Sequence, residues 1–173
     1  KAMKLAIDEI NAAGGLLGRP LELIVVDSEL KPEKGAAAIE KLATVDKVDF
    51  FVGGMASSVH LAQIPVMKRY QKITIWSGAA SYLCENAVGP DADWYFHLHP
   101  WDYQQGASYG LGWTELAEAY PDIEIAKIFL AYEEGGFGSA SHESYLVLQS
   151  QANQGEGSWA AVMGDYMGVS FKS

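Results

Sequence analysis

The sequence holds a single cysteine, Cys84, so no disulfide can form within the chain. A reduced compartment fits this, and so does export of a protein that does without disulfides. Positive charge is scarce: 12 Lys and Arg stand against 22 Asp and Glu, a formal net charge of −10 at pH 7. Phosphate backbones and anionic membrane surfaces repel such a chain on average, so nucleic-acid binding is not expected. Long apolar runs are missing, and none approaches the roughly 20 residues that span a bilayer. No charged start followed by an apolar stretch and a small-residue cleavage site is visible, nor any internal repeat or low-complexity tract. What is present is ordinary for a globular domain: 49% apolar and 20% charged over 173 residues. That is enough to bury a core without staples, and it excludes disorder, collagen and coiled coil.

Apolar spacing and punctuation divide the chain into alternating helices and strands. Met3, Ala6, Ile7 and Ile10 follow helical spacing over residues 2–12, and Gly14-Gly15 ends that helix. The nearly continuous apolar run Leu21–Val26 predicts a strand buried on both faces. Pro32 opens a helix through about Thr44, because proline suits a first turn. Val48–Val52 predicts a strand, and Ser57 an N-cap for a helix reaching Arg69, with a kink or late start at Pro65. Strands follow at Ile73–Trp76 and Tyr95–Leu98, then a helix over Tyr103–Ala119 that Pro121 stops. Ile125–Ala131 predicts a strand, Ser139–Gln151 a helix and Tyr166–Phe171 a last strand. This order predicts an α/β fold, a doubly wound and mainly parallel sheet covered on both faces. Ligands bind outside the carboxyl ends of such strands, which selects Asp27-Ser28, Gly53–Ser58, Ser77–Ser81 and Tyr132–Gly138. A start inside a helix and a stop just after a strand lead us to expect a piece of a longer protein, with its best domain boundary at Pro121–Glu124.

Several strings resemble the type I periplasmic-binding fold, in particular the branched-chain amino-acid binding proteins of ABC importers. They are Ala6–Leu23 with its double glycine and Gly18-Arg19-Pro20 turn; Val52–Ser58 before a helix containing Pro65; Ile75–Ser81; Tyr95-Phe96-His97 with Asp102, Gln105 and Gly106; and Tyr132–Gly138. The family more often carries arginine at the His97 position. The resemblance runs almost end to end and implies two α/β lobes that close over a small ligand. Residues 1–120 then correspond to a first lobe lacking its opening strand, and 125–173 to the beginning of a second lobe. It further implies a non-enzymatic solute-binding protein, periplasmic or extracellular and in some members lipid-anchored, partnered by an ABC permease and needing no cofactor. A sensory or regulatory ligand-binding domain of the same fold is the alternative.

A helix N-terminus offers orphan N–H groups and a positive dipole end, so Ser57 and Ser58 read either as capping groups or as an anion contact. The resemblance selects the second, since it places a carboxylate-binding serine at Ser57. The small residues Gly78, Ala79, Ala80 and Ser81 let backbone groups approach a ligand, and Ser81 adds a hydroxyl. The family usually has threonine near Ala80 or Ser81. Phe137 stands where the family often carries tyrosine, and the lost hydroxyl hints at a less polar or aromatic ligand. Trp76, Trp101 and Tyr103 lie on or near the same loops and are candidate ligand contacts. The ligand is expected to be an amino acid, an amide or an aromatic acid.

Other chemistries were weighed on the residues alone. His97 and His99 share a strand face and with Asp102 suggest a metal, but no further ligand has a recognisable spacing, so no metal is expected. Cys84 with His60 or His142 suggests a nucleophile and base, yet a lone cysteine is more commonly buried and inert. Ser57 and Ser58 lack the Gly-x-Ser-x-Gly elbow, and Gly135-Gly136-Phe137-Gly138 is not a dinucleotide fingerprint. No catalytic constellation is expected.

Overall fold

The structure is a computed structural model and describes residues 1–122, 127–153 and 165–171. In chain order its elements are α1 (Ala2–Ala12), α2 (Pro32–Thr44), β1 (Phe50–Gly53), α3 (Ser57–Tyr70), β2 (Ile73–Trp76), α4 (Tyr82–Val88), β3 (Tyr95–His97), α5 (Asp102–Ala119), β4 (Lys127–Glu133), α6 (Gly138–Asn153) and β5 (Asp165–Phe171). Strands β1, β2 and β3 form one parallel sheet in that order, with Phe51 opposite Thr74 and Ile75 opposite Phe96. Strands β4 and β5 form a second parallel pair, from Lys127 opposite Asp165 to Glu133 opposite Phe171. Each parallel pair is joined through a helix, the connection such pairing demands.

Local chemistry explains the helices. Pro32 occupies the first turn of α2 with Glu33 beside it, and Lys41 sits in the last turn, so both ends suit the helix dipole. Its buried residues Gly35, Ala38, Ile39 and Ala43 recur at helical spacing. The small ones let α3 come close: a Cβ on Gly35 would collide with Val59. Helix α3 buries His60, Gln63, Ile64 and Met67 along one stripe. It runs on through Pro65, whose ring faces outward, and ends at Gln71 in the left-handed conformation. Phe51, Ile64, Met67, Trp76, Cys84 and Trp94 meet in the core. Helix α4 was not anticipated from the sequence. Its seven residues are too short for periodicity, but Ser81 accepts from the Leu83 N–H at its start and Gly89 follows its end at φ +83°, both ordinary boundary signals.

Two expectations are corrected. Leu21–Val26 forms no strand, and Val25 is 76% exposed. An apolar run becomes a strand only where a neighbour completes its hydrogen bonds. Among the described residues only Leu21 is held, by the Asn11 amide, which donates to its carbonyl (2.9 Å) and accepts from its N–H (2.7 Å). The three-stranded sheet is also not buried on both faces. Phe51, Thr74 and Trp76 point into the core, whereas Phe50, Val52, Ile73, Ile75 and Phe96 are 37–51% exposed. Side chains alternate across a strand, so the helices packed on one side leave the other set uncovered among the described residues. Residues 123–126, which include the start of the expected strand at Ile125 and part of the expected boundary, lie outside the described residues.

Candidate functional site

The carboxyl ends of β1 and β2 carry two loops, residues 54–56 and 77–81, that lie side by side. Gly78 approaches the first loop so closely that a Cβ there would sit 2.6 Å from the Gly54 carbonyl oxygen. Three bonds stitch the loops together: Ser77 N–H donates to Gly53 O (3.1 Å), Ala79 N–H to Met55 O (2.8 Å) and Ser81 N–H to Ser57 Oγ (3.3 Å). On the opposite side, Leu98 N–H donates to Trp76 O (2.9 Å) and Asp102 N–H to Ala80 O (2.8 Å). The His97 ring Nε2 lies 2.7 Å from Gly78 O. The loop is thus held alternately from its two flanks, and Ala79 sits between the clamps at φ +58°. An L-residue held there is strained, a state the surrounding bonds must maintain.

Ser57 proves to be the first residue of α3. The N-cap is Ala56, which has no side chain to satisfy the helix, and no cap bond is made. This corrects the expected cap: Ser57 is 3% exposed, and its Oγ accepts from the neighbouring loop, which leaves its O–H proton to be donated. Among the described residues the first-turn N–H groups of α3 therefore have no side-chain partner, a ready anion site. Ser58 is exposed at this end. The Glu133–Gly138 loop, following β4, reaches the same place, where a Cβ on Gly136 would lie 3.3 Å from Ser58 N.

The structure gathers Ser57, Ser58, Gly78, Ala79, Ala80 and Ser81 around this point, with Ala79, Ala80 and Ser81 themselves buried. Phe137 is 40% exposed on the loop beside them. Tyr103 stands apart on α5, half exposed, and its hydroxyl donates to Glu85 (3.4 Å). With Tyr82, Glu85, Asn86 and Glu143 it lines a separate groove of about 350 Å³. Trp76 belongs to the core: it is buried and stacks on His60 with ring centroids 4.2 Å apart, its indole lying beneath Gly54.

Sequence reasoning missed two supports. Asp102 is almost fully buried and accepts from the N–H groups of Tyr82 (3.1 Å) and Tyr103 (2.9 Å), tying the starts of α4 and α5 together. Burial raises its carboxyl above the usual range, while those backbone donors pull it back. His60 lies within the core with Nε2 2.7 Å from the Tyr95 hydroxyl, and burial pushes its imidazole down to about 3. His60 stands between Val59 and Leu61, a polar residue within an apolar stretch and a weak signal for a buried tie, and Asp102 stands between two aromatics.

His97 is engaged with Gly78, His99 is exposed and Asp102 is committed to backbone N–H groups. Among the described residues no group of three His, Cys, Asp or Glu side chains is placed to hold a metal. Burial pushes the Cys84 thiol up to about 12, and its Sγ donates to Ser57 O (3.7 Å), the behaviour of a structural thiol. Among the described residues no helix is long and apolar enough to cross a membrane.

Comparison with known proteins agrees with this architecture. Residues 1–163 match the periplasmic binding protein family. A substrate-binding protein of an ABC transporter from Desulfitobacterium hafniense, solved with Leu, superposes with a TM-score of 0.72 at 18% identity, over 94% of this chain and 44% of its own. The leucine-binding protein LivK of Thermotoga maritima gives 0.71 at 16% identity, over 95% and 41%. A solute-binding protein of R. palustris in complex with benzoate gives 0.71 at 19%, over 96% and 42%. The chain spans about two fifths of the length of these solved proteins. With a family match over most of its length and a fold shared with these type I proteins, the chain belongs to the periplasmic binding protein family.

Proposed function

We propose that the protein carrying this chain is a non-enzymatic solute-binding protein that presents an amino acid or related small carboxylate to an ABC permease outside the cytoplasm. The observation that carries this reading is the uncapped N-terminus of α3, set against the Ser77–Ser81 loop at the carboxyl ends of adjacent parallel strands. Free N–H groups at a helix start attract a carboxylate, and the low dielectric between packed loops strengthens that attraction. The Ala79 carbonyl has no partner among the described residues and is the acceptor for a ligand amine. Residues 1–120 form the first lobe and 125–173 the opening of a second, with the Gly136 loop closing over the bound ligand. Phe137 lacks a hydroxyl and supplies an apolar wall, which suits a branched aliphatic or aromatic acid.

Calorimetry on the full-length gene product tests this with leucine, isoleucine and benzoate as titrants. Binding of at least one acid is expected, with Ser57→Ala weakening it by about tenfold or more, about 1.4 kcal/mol. No binding by any of these acids, or an unchanged affinity in Ser57→Ala, overturns it.

A further inference from the structure

We propose that His97 is the positioning residue that sets the shape of the ligand-facing loop Ser77–Ser81, donating its Nε2 proton to the Gly78 carbonyl. The proposal rests on that loop's reading as part of the ligand site. A carbonyl oxygen only accepts, so the 2.7 Å contact between His97 Nε2 and Gly78 O requires the proton on Nε2. The other ring nitrogen, Nδ1, is buried and has no partner among the described residues, so Gly78 O is the ring's one polar anchor among them. The ring itself is fixed. It stacks on Trp101 with centroids 3.7 Å apart and planes 5° from parallel, and on its other neighbour, Tyr95, at 6.4 Å and 11°.

The accounting of the loop shows why this contact matters. Backbone donors of Ser77 and Ala79 and the Ser81 N–H go to the β1 side, and the Ala80 carbonyl goes to the Asp102 N–H. Among the described residues Gly78 O is the one carbonyl of this run whose partner is a side chain. It immediately precedes Ala79, whose left-handed φ of +58° turns the chain at the site. Removing the His97 donor leaves Gly78 O unsatisfied in a half-buried place and frees the peptide that orients Ala79. His97 therefore acts through the loop.

The ring tautomer is the direct test, read by nitrogen NMR on the full-length protein. A proton on Nε2 is expected, and the Nδ1–H tautomer, whose Nε2 cannot donate, overturns the proposal. A pair of variants supplies the second test. His97→Phe keeps the stacking and removes the donor, and His97→Gln returns an N–H donor at similar reach. The Ala79 and Ser81 amides are expected to exchange about tenfold faster in His97→Phe than in the wild type. Leucine or benzoate, whichever the wild type binds, is expected to bind about tenfold more weakly, and His97→Gln to recover most of both effects. Wild-type exchange and affinity in His97→Phe, or equal losses in both variants, overturn it. Should His97→Phe fail to fold, the tautomer and His97→Gln still decide. A wild type that binds no acid strikes the proposed function alone, because tautomer and exchange are measured without ligand.

Discussion

Phe50 and Phe51 are neighbours of identical chemistry on opposite faces of one strand. Phe51 is 2% exposed among Ile64, Met67 and Trp76, while Phe50 is 43% exposed with Val52, Ile73, Ile75 and Phe96. The inner face has α3 and its neighbours packed against it; the outer face has no such cover among the described residues. The difference teaches that an apolar side chain stabilises a fold only through the partner that dries it. The same lesson holds for α1, which has helical spacing yet buries none of its residues, and for Leu21–Val26.

The largest expected effect breaks or keeps this contrast directly. Phe51→Ala is expected to cost about 3–5 kcal/mol of unfolding free energy, as a large truncation in a packed core does. Phe50→Ala is expected to cost about 1 kcal/mol or less in the same urea titration. Equal losses would mean that the outer face is covered in solution. The inner face should also carry an acid sensitivity. Burial holds the folded-state pKa of His60 near 3 against an ordinary 6.5, so the unfolded chain takes up the proton first. The stabilisation is complete above pH 6.5 and is lost as pH falls toward 3, at up to about 1.4 kcal/mol per pH unit. Urea unfolding across that range should show a shallower acid limb in His60→Gln, and an unchanged limb would remove His60 as its source.

Glycines sharpen the comparison further. Gly54 and Gly18 have nearly the same backbone, φ +74° and +76°, but Gly54 lies against the Trp76 ring and Gly18 has open space. Alanine at Gly18 should cost about 1 kcal/mol for the left-handed backbone. Alanine at Gly54 should cost about 1–3 kcal/mol more for overpacking. Matching midpoints for the two variants would show that Trp76 yields freely. The smallest effect is expected at the exposed Lys4–Asp8 pair of α1 (3.1 Å), where Lys4→Ala should shift stability by no more than about 0.5 kcal/mol. A larger loss would show that α1 is anchored more firmly than its exposure indicates.

Much of the fold was legible because its signals are local. Pro32 and the small-residue stripe of α2, the spacing of α3, the β-branched run Ile73–Trp76 and the glycine loop before α6 each name their element within a few residues. The loops at the strand ends were legible for the same reason, since glycine and serine after an apolar run mark a turn. Helix α4 escaped because one short helix gives no period. The strand expected at Leu21–Val26 failed because pairing is not a property of the run that seeks it. Within the candidate site, the sequence names Ser57 and the Gly78–Ser81 string, but not that Ser57 Oγ accepts from the Ser81 N–H or that His97 grips Gly78 from 19 residues away.

By itself the sequence determined the alternation of helices and parallel strands and the small, polar loops at the strand ends. Backbone propensity, caps and apolar period act over a turn or two of chain, so they can be read without a fold. Only the tertiary structure decided which sheet face is dry, that α3 begins uncapped at Ala56, that Trp76 serves the core and that Ala79 is held left-handed. Those outcomes depend on which distant groups exclude water or complete a hydrogen bond, and that is settled only when the chain has packed.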